Sequence, residues 1–128
     1  MRMTSIALLL VVGLAAGAQA HDTTTPEQLL AGRTPGAAQS CIPQSRIDST
    51  RTFDSGAILY KMKGGPDYLN APSPTCSELR QDRAFASQTP SNSICRGDIL
   101  RVFDPTSHFD YGSCALGDFI PYARAKKP

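Results

Sequence analysis

Four cysteines are the residues of this sequence whose type and spacing say most about its chemistry. They are Cys41, Cys76, Cys95 and Cys114, at intervals of 35, 19 and 19 residues. A zinc site uses cysteines in close pairs, because one turn can then present two sulfurs to the ion, and these intervals contain no close pair. An even number of cysteines in a short chain from an oxidising compartment instead predicts a disulfide framework.

The pairing of the four cysteines is open to three alternatives. We favour Cys76–Cys95 together with Cys41–Cys114, which nests a short loop inside a long one. Each bridge would stabilise the fold by roughly 3–4 kcal/mol by restricting the unfolded chain. A catalytic cysteine is not expected, because a free thiol would be oxidised in the same compartment.

The two histidines, His21 and His108, raise the question of a metal. If the chain is cleaved after Ala20, His21 offers an α-amine and an imidazole together, and nitrogen donors in one plane suit copper(II). His108 could add a second imidazole. However, His21 lies twenty residues before Cys41, and such a site needs a rigid surrounding shell. The leading prediction is therefore no metal and no cofactor, with copper binding at His21 as the alternative.

Two further arrangements could in principle support catalysis. The stretch FDPTSHFDY brings Ser107, His108 and Asp110 into one loop. Adjacent serine and histidine side chains rarely face each other as a proton relay requires, and no glycine-rich elbow precedes the serine. Glycoside cleavage is weakly supported, because Glu27 and Glu78 are the only glutamates after residue 20 and the chain has no tryptophan to stack on a sugar. We predict no catalytic residue and no enzyme activity.

The tripeptide Arg96-Gly97-Asp98 is one that cell-adhesion receptors bind when a loop tip exposes it. Here it stands between Cys95 and the apolar run ILRVF, which is typical of an inner strand. We interpret it as a bend that lets Cys95 form its disulfide.

The N-terminus has the three parts of a secretory signal peptide. Arg2 supplies a positive charge, 6–18 is apolar or small throughout, and Ala-Gln-Ala ends the segment at Ala20. The apolar run is thirteen residues, whereas a membrane-spanning helix needs about 20. We predict a signal peptide over 1–20, cleavage before His21, a periplasmic or secreted protein and no transmembrane anchor.

The charge balance bears on possible partners. Without Arg2 the chain has 12 Lys and Arg against 11 Asp and Glu, a net charge of +1. This is too small for a nucleic-acid-binding surface. The basic end, 123–128, is interpreted as a solvated tail.

The remaining sequence predicts one small all-β domain. Residues 21–40 would be a flexible leader with a nascent helix, in which Thr25 and Gln28 form a capping box. Residues 41–122 would form a disulfide-stapled β-barrel or sandwich of five to six short antiparallel strands with a short helical turn. The strands are expected at 45–53, 57–63, 67–70, 83–88, 98–103 and 111–122, the first two as a hairpin and the fifth in a central position.

The segments around the cysteines resemble a known family. They are CIPQSRID, RTFDSGAILYKMKGGPDYLNAPSPTCSEL, ICRGDILRVFD and GSCALGDFIPY, and together they extend over about residues 41–122. The family comprises small exported proteobacterial proteins catalogued as domain of unknown function 6491. Because its members carry no assigned activity, the resemblance implies only that the cysteines and the CRGD and LGDF segments belong to the scaffold.

These observations predict an exported, non-enzymatic binding or envelope-associated protein. Rigid small β-domains commonly present binding loops, and an envelope component or a protein partner is a possible target.

Overall fold

The computed structural model describes residues 21–72 and 76–124, together with Gly13 and Gly17. Apart from those two glycines, the predicted signal peptide lies outside the described residues. The regular elements of the described part are one short helix, one 3-10 turn and nine strands: α1 (Pro26–Leu29), β1 (Cys41–Pro43), the 3-10 turn (Gln44–Arg46), β2 (Ile47–Thr52), β3 (Ile58–Met62), β4 (Asp67–Asn70), β5 (Ala84–Gln88), β6 (Ser93–Cys95), β7 (Ile99–Phe103), β8 (Asp110–Ala115) and β9 (Phe119–Tyr122). No helix among them is long and apolar enough to cross a membrane.

The strands form three antiparallel sheets that enclose one main core. The strand orders are β2-β3-β4-β9 in a four-stranded sheet, β5-β7-β8 in a three-stranded sheet and β1-β6 in a two-stranded ribbon. Side chains from all three sheets meet in the core, including Tyr60 of β3, Ile94 of β6 and Leu100 of β7. The described strands do not close into a barrel, so the all-β prediction is confirmed in its sandwich-like form.

The predicted hairpin is confirmed. β2 and β3 pair from Ile47↔Met62 to Thr52↔Ile58, and the connecting turn closes with the Gly56 N–H donating to the Phe53 carbonyl at 2.9 Å. Gly56 has a φ of 85°, and a Cβ there would lie 2.6 Å from the Cys76 carbonyl oxygen. The turn therefore requires glycine both for its conformation and for its close contact with another segment.

The end of the chain departs from the prediction. The single strand expected over 111–122 is two strands, β8 and β9, which belong to different sheets. The chain crosses between them at Gly117, whose N–H and carbonyl are both bonded to the side chain of the buried Asn70. β7, by contrast, is the central strand of its sheet, as expected, although Ile99 on its outer face is 40% exposed.

The disulfides are Cys41–Cys95 and Cys76–Cys114, so the favoured pairing of Cys76 with Cys95 and Cys41 with Cys114 is wrong. β1 and β6 were not predicted as strands, and their pairing places Cys41 directly opposite Cys95. Cys76 is buried in the main core beside β8, which carries Cys114. For Cys41 and Cys95, strand pairing rather than proximity in sequence determines which sulfurs meet. Two closed disulfides are consistent with an oxidising, extracytoplasmic compartment.

The segment 21–39, which we name the strap, is packed against the β-domain rather than free of it. Its capping box forms as predicted: the Gln28 N–H donates to Thr25 Oγ1, and the Thr25 N–H donates to Gln28 Oε1. Leu30 is buried in a second, smaller core with Phe53 and Leu59, on the face of the four-stranded sheet opposite the main core. The Gln39 N–H and carbonyl both bond to Phe119 of β9.

The helical turn expected near Cys76 is not helical. Residues 77–78 and 81–82 form separate turns, closed by bonds from the Leu79 N–H to the Cys76 carbonyl and from the Arg83 N–H to the Arg80 carbonyl. The short helical segments lie instead at α1 and at the 3-10 turn.

Candidate functional site

A cleft of about 600 Å³ lies where the strap meets the outer face of the four-stranded sheet. Leu29 and Arg33 line it from the strap, Leu59 and Lys61 from β3, and Arg124 from the chain after β9. Six of its lining residues are charged; they are Arg33, Lys61, Lys63, Arg124, Asp48 and Asp67. We name this site the basic cleft.

The basic cleft is organised around the buried carboxylate of Asp67. This residue is 5% exposed, and its Oδ1 accepts from the Met62 N–H at 3.1 Å. Arg124 Nη2 donates to Oδ1 and Arg33 Nη2 donates to Oδ2, each at 3.1 Å. Burial raises the pKa of the Asp67 carboxyl, but the bond from Met62 and the two guanidinium groups outweigh it and hold the pKa below its ordinary value.

The two arginines are fixed by further bonds to the backbone. Arg33 donates from Nε to the Ala123 carbonyl at 3.0 Å and from Nη2 to the Tyr122 carbonyl at 2.8 Å, and Arg124 donates from Nη2 to the Met62 carbonyl. Among the described residues, no hydrogen bond uses Nη1 of either arginine. The Arg33 guanidinium is thus held through two of its nitrogens, the Arg124 guanidinium is anchored through Nη2, and both retain donors for a ligand.

Two lysines extend the positive charge along one side of the cleft. Lys61 and Lys63 are exposed, and Lys63 Nζ donates to the Ser45 carbonyl at 3.2 Å. Four cations and two carboxylates give the cleft a formal charge of +2. The chain from His21 onward carries +1 in total, so the rest of that chain is slightly acidic. The cleft is thus a local concentration of positive charge on a nearly neutral protein.

His21, at the start of the strap, lies at the β2–β3 turn. Its Nε2 is 2.5 Å from Asp54 Oδ2, and the neighbouring Asp22 forms an ion pair with Arg51. The hydrogen bond with Asp54 and the charge of that carboxylate raise the pKa of the His21 imidazole, and the same contact lowers the pKa of Asp54. The Asp54 contact leaves Nδ1 of His21 as the ring nitrogen available to a metal.

His108 belongs to a tight loop after β7. Its φ is 60°, and the Asp104 carboxylate accepts from the Thr106 and Ser107 N–H groups at 2.8 and 2.7 Å. Ser107 Oγ accepts from the Phe109 N–H, and no hydrogen bond among the described residues joins it to His108. The structure therefore does not assemble the serine–histidine relay considered from the sequence. It also brings no three His, Cys, Asp or Glu side chains of the described residues together as a metal site.

The Arg96-Gly97-Asp98 segment is a bend, as predicted. Gly97 has a φ of 88°, and Asp98 Oδ2 accepts from the Cys95 N–H at 2.8 Å. Arg96 forms an ion pair with Asp118. The three residues hold the turn that follows the Cys41–Cys95 bridge.

The charged residues of the basic cleft were not identified from the sequence. They come from positions 33, 48, 61, 63, 67 and 124, and only the fold brings them together. One signal was present: Lys61 of β3 and Lys63, the residue after it, alternate with apolar residues in AILYKMK, which predicts that both lysines lie on the outer face.

Comparison of the chain with protein-family models, with curated proteins and with solved structures finds no match.

Proposed function

We propose that this chain is an exported, non-enzymatic binding protein of the periplasm or the extracellular space, associated with the cell envelope, and that the basic cleft is its ligand site. The observation that carries the proposal is the cleft itself, in which a buried carboxylate fixes two arginines beside two lysines. Two disulfides and a core shared by three sheets provide the rigid frame that such a site needs.

Intact mass spectrometry and cell fractionation test the export half of this proposal. We expect the mass of a chain that begins at His21, four hydrogens below the reduced value and unchanged by thiol alkylation without reductant. The protein should be found in the periplasmic fraction or the medium. A retained segment 1–20 with four free thiols in the cytoplasm would contradict the proposal.

A copper site at His21 is the second candidate, and the Asp54 contact favours it. A carboxylate that holds one ring nitrogen commonly orients the other nitrogen towards a metal. Cleavage before His21 would place the new α-amine next to Nδ1, which allows both to bind one copper(II) ion. His108 is not grouped with His21 among the described residues, so a brace of two imidazoles is not supported.

Equimolar copper(II) titration, followed by electron paramagnetic resonance, tests this candidate. Protein that begins at His21 should give a one-to-one complex with nitrogen hyperfine structure. His21→Ala should abolish this copper complex. A matched chain that retains Ala20 should bind copper more weakly, because the α-amine then belongs to Ala20 and no longer to the residue that carries the imidazole. An identical spectrum from all three proteins would exclude the site.

We also propose membership of domain-of-unknown-function family 6491, supported by the four cysteine segments. If the proposal is right, members of that family share the crossed pairing 41–95 and 76–114, which peptide mapping of any member would reveal.

A further inference from the structure

We infer that the ligand of the basic cleft carries a phosphate group, either free or as the headgroup of a lipid. This inference rests on the proposed binding function and names the chemical class of its ligand. It is drawn from the charge of the cleft, from the way its arginines are held and from its size.

The charge of the cleft matches a phosphate better than a carboxylate. Asp67 neutralises about one of its two arginines, and Asp48 balances one lysine, so two positive charges remain without a counter-charge among the lining residues. A phosphate monoester carries −1.5 to −2 near pH 7, whereas a carboxylate carries −1. A single phosphate therefore satisfies the remaining charge.

The donors of the cleft are arranged before any ligand arrives. The Arg33 side chain is only 14% exposed and bonds to Asp67 and to two backbone carbonyls. Arg124 is held by the same carboxylate. Guanidinium groups fixed in this way lose little conformational freedom when they bind an oxyanion. Lys61 and Lys63 add flexible point charges, a type of group that also binds phosphate. Asp67 is therefore a positioning residue for the two arginines.

The dimensions allow more than a free ion. A volume of about 600 Å³ exceeds that of one phosphate group and falls within the range of small-molecule sites. Leu29 and Leu59 give one part of the lining apolar character. A phosphate attached to an organic group, such as the glycerol of a lipid, fits this combination.

The test uses the oxidised protein that begins at His21, titrated with inorganic phosphate at low ionic strength and followed by amide chemical shifts. We expect shifts at Lys63, Gly64 and Arg124. Replacing both lysines (Lys61→Gln with Lys63→Gln) should weaken phosphate binding about tenfold or more, because two unit charges are removed at short range. Asp48→Asn should strengthen binding, because it removes a negative charge from the cleft.

A charge-matched control separates the cleft from the net charge of the protein. Arg96→Gln with Arg101→Gln removes two charges from exposed side chains elsewhere, at 61% and 55% exposure. This control should change phosphate affinity less than about twofold. The four substituted residues are exposed, so both variants are expected to fold. The chemical-shift map of the unmodified protein locates the bound phosphate without any substitution.

Vesicles distinguish the two sources of phosphate. Co-sedimentation with vesicles that contain phosphatidic acid, whose headgroup is a phosphate monoester, assigns the site to lipid headgroups if it is lost in the double-lysine variant. Phosphate binding without co-sedimentation assigns the site to a soluble phosphate compound. The inference is overturned if neither probe binds, if acetate gives the same shifts at the same concentration, or if the control variant loses as much affinity as the lysine variant. If these tests fail for a protein that is nevertheless exported, the proposed localisation stands and only the phosphate class of the ligand is rejected.

Discussion

Asn70 connects the two main sheets through a single side chain. It is fully buried, and its Nδ2 donates to the Gly117 carbonyl at 2.8 Å while its Oδ1 accepts from the Gly117 N–H at 2.9 Å. Gly117 lies where the chain passes from β8 to β9, and a Cβ there would be 2.3 Å from the Ala71 carbonyl oxygen. The crossing between sheets depends on this pair of residues.

Asn70→Ala should lower the free energy of unfolding by about 3 kcal/mol, because it leaves two buried backbone groups without partners. Urea unfolding with the disulfides intact measures this. Asn92→Ala, at an exposed position, is the matched control and should change the free energy by less than about 0.5 kcal/mol. Equal effects of the two substitutions would show that the Gly117 contacts do not hold the crossing.

Unlike the Asn70 side chain, the Tyr60 hydroxyl is a buried polar group without a hydrogen bond in the described part of the chain. It is buried in the main core, and among the described residues it has no hydrogen-bond partner. Burial, followed by the negative charge of Asp98, raises the pKa of this phenol. The group therefore costs free energy in the folded state without a bond to offset it.

Tyr60→Phe should raise the free energy of unfolding by about 1 kcal/mol, since it removes an unpaired buried hydroxyl and leaves the ring packed against Phe119. Tyr68→Phe provides the comparison, because the Tyr68 hydroxyl donates to Gln39 Oε1. That second variant should show no gain in stability. A loss on Tyr60→Phe would mean that the hydroxyl is satisfied in solution.

The two disulfides differ more in their surroundings than in the length of chain they close. Their sequence separations are 54 and 38 residues, for which chain entropy gives about 4 kcal/mol each. Cys41 lies exposed in the β1–β6 ribbon, whereas Cys76 is 5% exposed in the main core. The difference between the two bridges should therefore come from packing.

Replacing Cys76 and Cys114 by alanine should destabilise the protein by about 1–2 kcal/mol more than replacing Cys41 and Cys95, because it also removes buried sulfur from the core. Thermal or urea unfolding of the two double variants gives the comparison directly. A larger loss from the Cys41/Cys95 variant would show that the ribbon, rather than the core, limits stability.

Local patterns predicted the elements well where their cause was local. The β2–β3 hairpin follows from alternation and the Asp-Ser-Gly turn, and α1 from the Thr25 cap. A register shift between Ile47 and Ser49 was not predictable: it lets Ile47 pack on the main core while Phe53 packs under the strap. Strict alternation from Ile47 to Phe53 would place both residues on one face of the strand.

Features that depend on distant contacts could not be predicted from one sequence. β1 and β6 are three residues each, too short for a periodic signal, and their pairing decides the disulfides. The division of 111–122 into two strands depends on the Asn70 contact with Gly117. The basic cleft likewise requires the strap and the end of β9 to meet, which only the tertiary fold determines.

At the scale of the whole molecule, the Asp67 cluster joins the strap, the four-stranded sheet and the end of the chain. The pKa of the Asp67 carboxyl is lowered in the folded protein. The ionised carboxylate therefore stabilises the fold at pH values above its ordinary pKa of about 4. This contribution is lost as the pH falls through the folded value. Acid should therefore loosen the contacts of Arg33 and Arg124 together.

Asp67→Asn should remove this part of the acid dependence of stability and flatten the profile below pH 4, at a cost in stability near pH 7. Urea unfolding at a series of pH values measures both effects. Asp118→Asn, which changes a half-buried carboxylate paired with Arg96 outside the Asp67 cluster, should leave the acid dependence that Asp67 contributes unchanged. If the free energy of unfolding of Asp67→Asn falls with pH in parallel with that of the original protein, other groups determine the loss of stability in acid.

The order of the cysteines along the chain has a consequence for biosynthesis. Each native disulfide encloses one cysteine of the other in the sequence. Cys76 lies between Cys41 and Cys95, and Cys95 lies between Cys76 and Cys114. A chain that crosses the membrane from its N-terminus, as we propose, presents Cys41 and Cys76 to the oxidising side first, and these two are not partners. Maturation then requires either that the sheets pair before oxidation or that thiol exchange rearranges an early bridge. On the second route the yield of native protein depends on a disulfide isomerase in the compartment as well as on an oxidant, whereas on the first route an oxidant is enough.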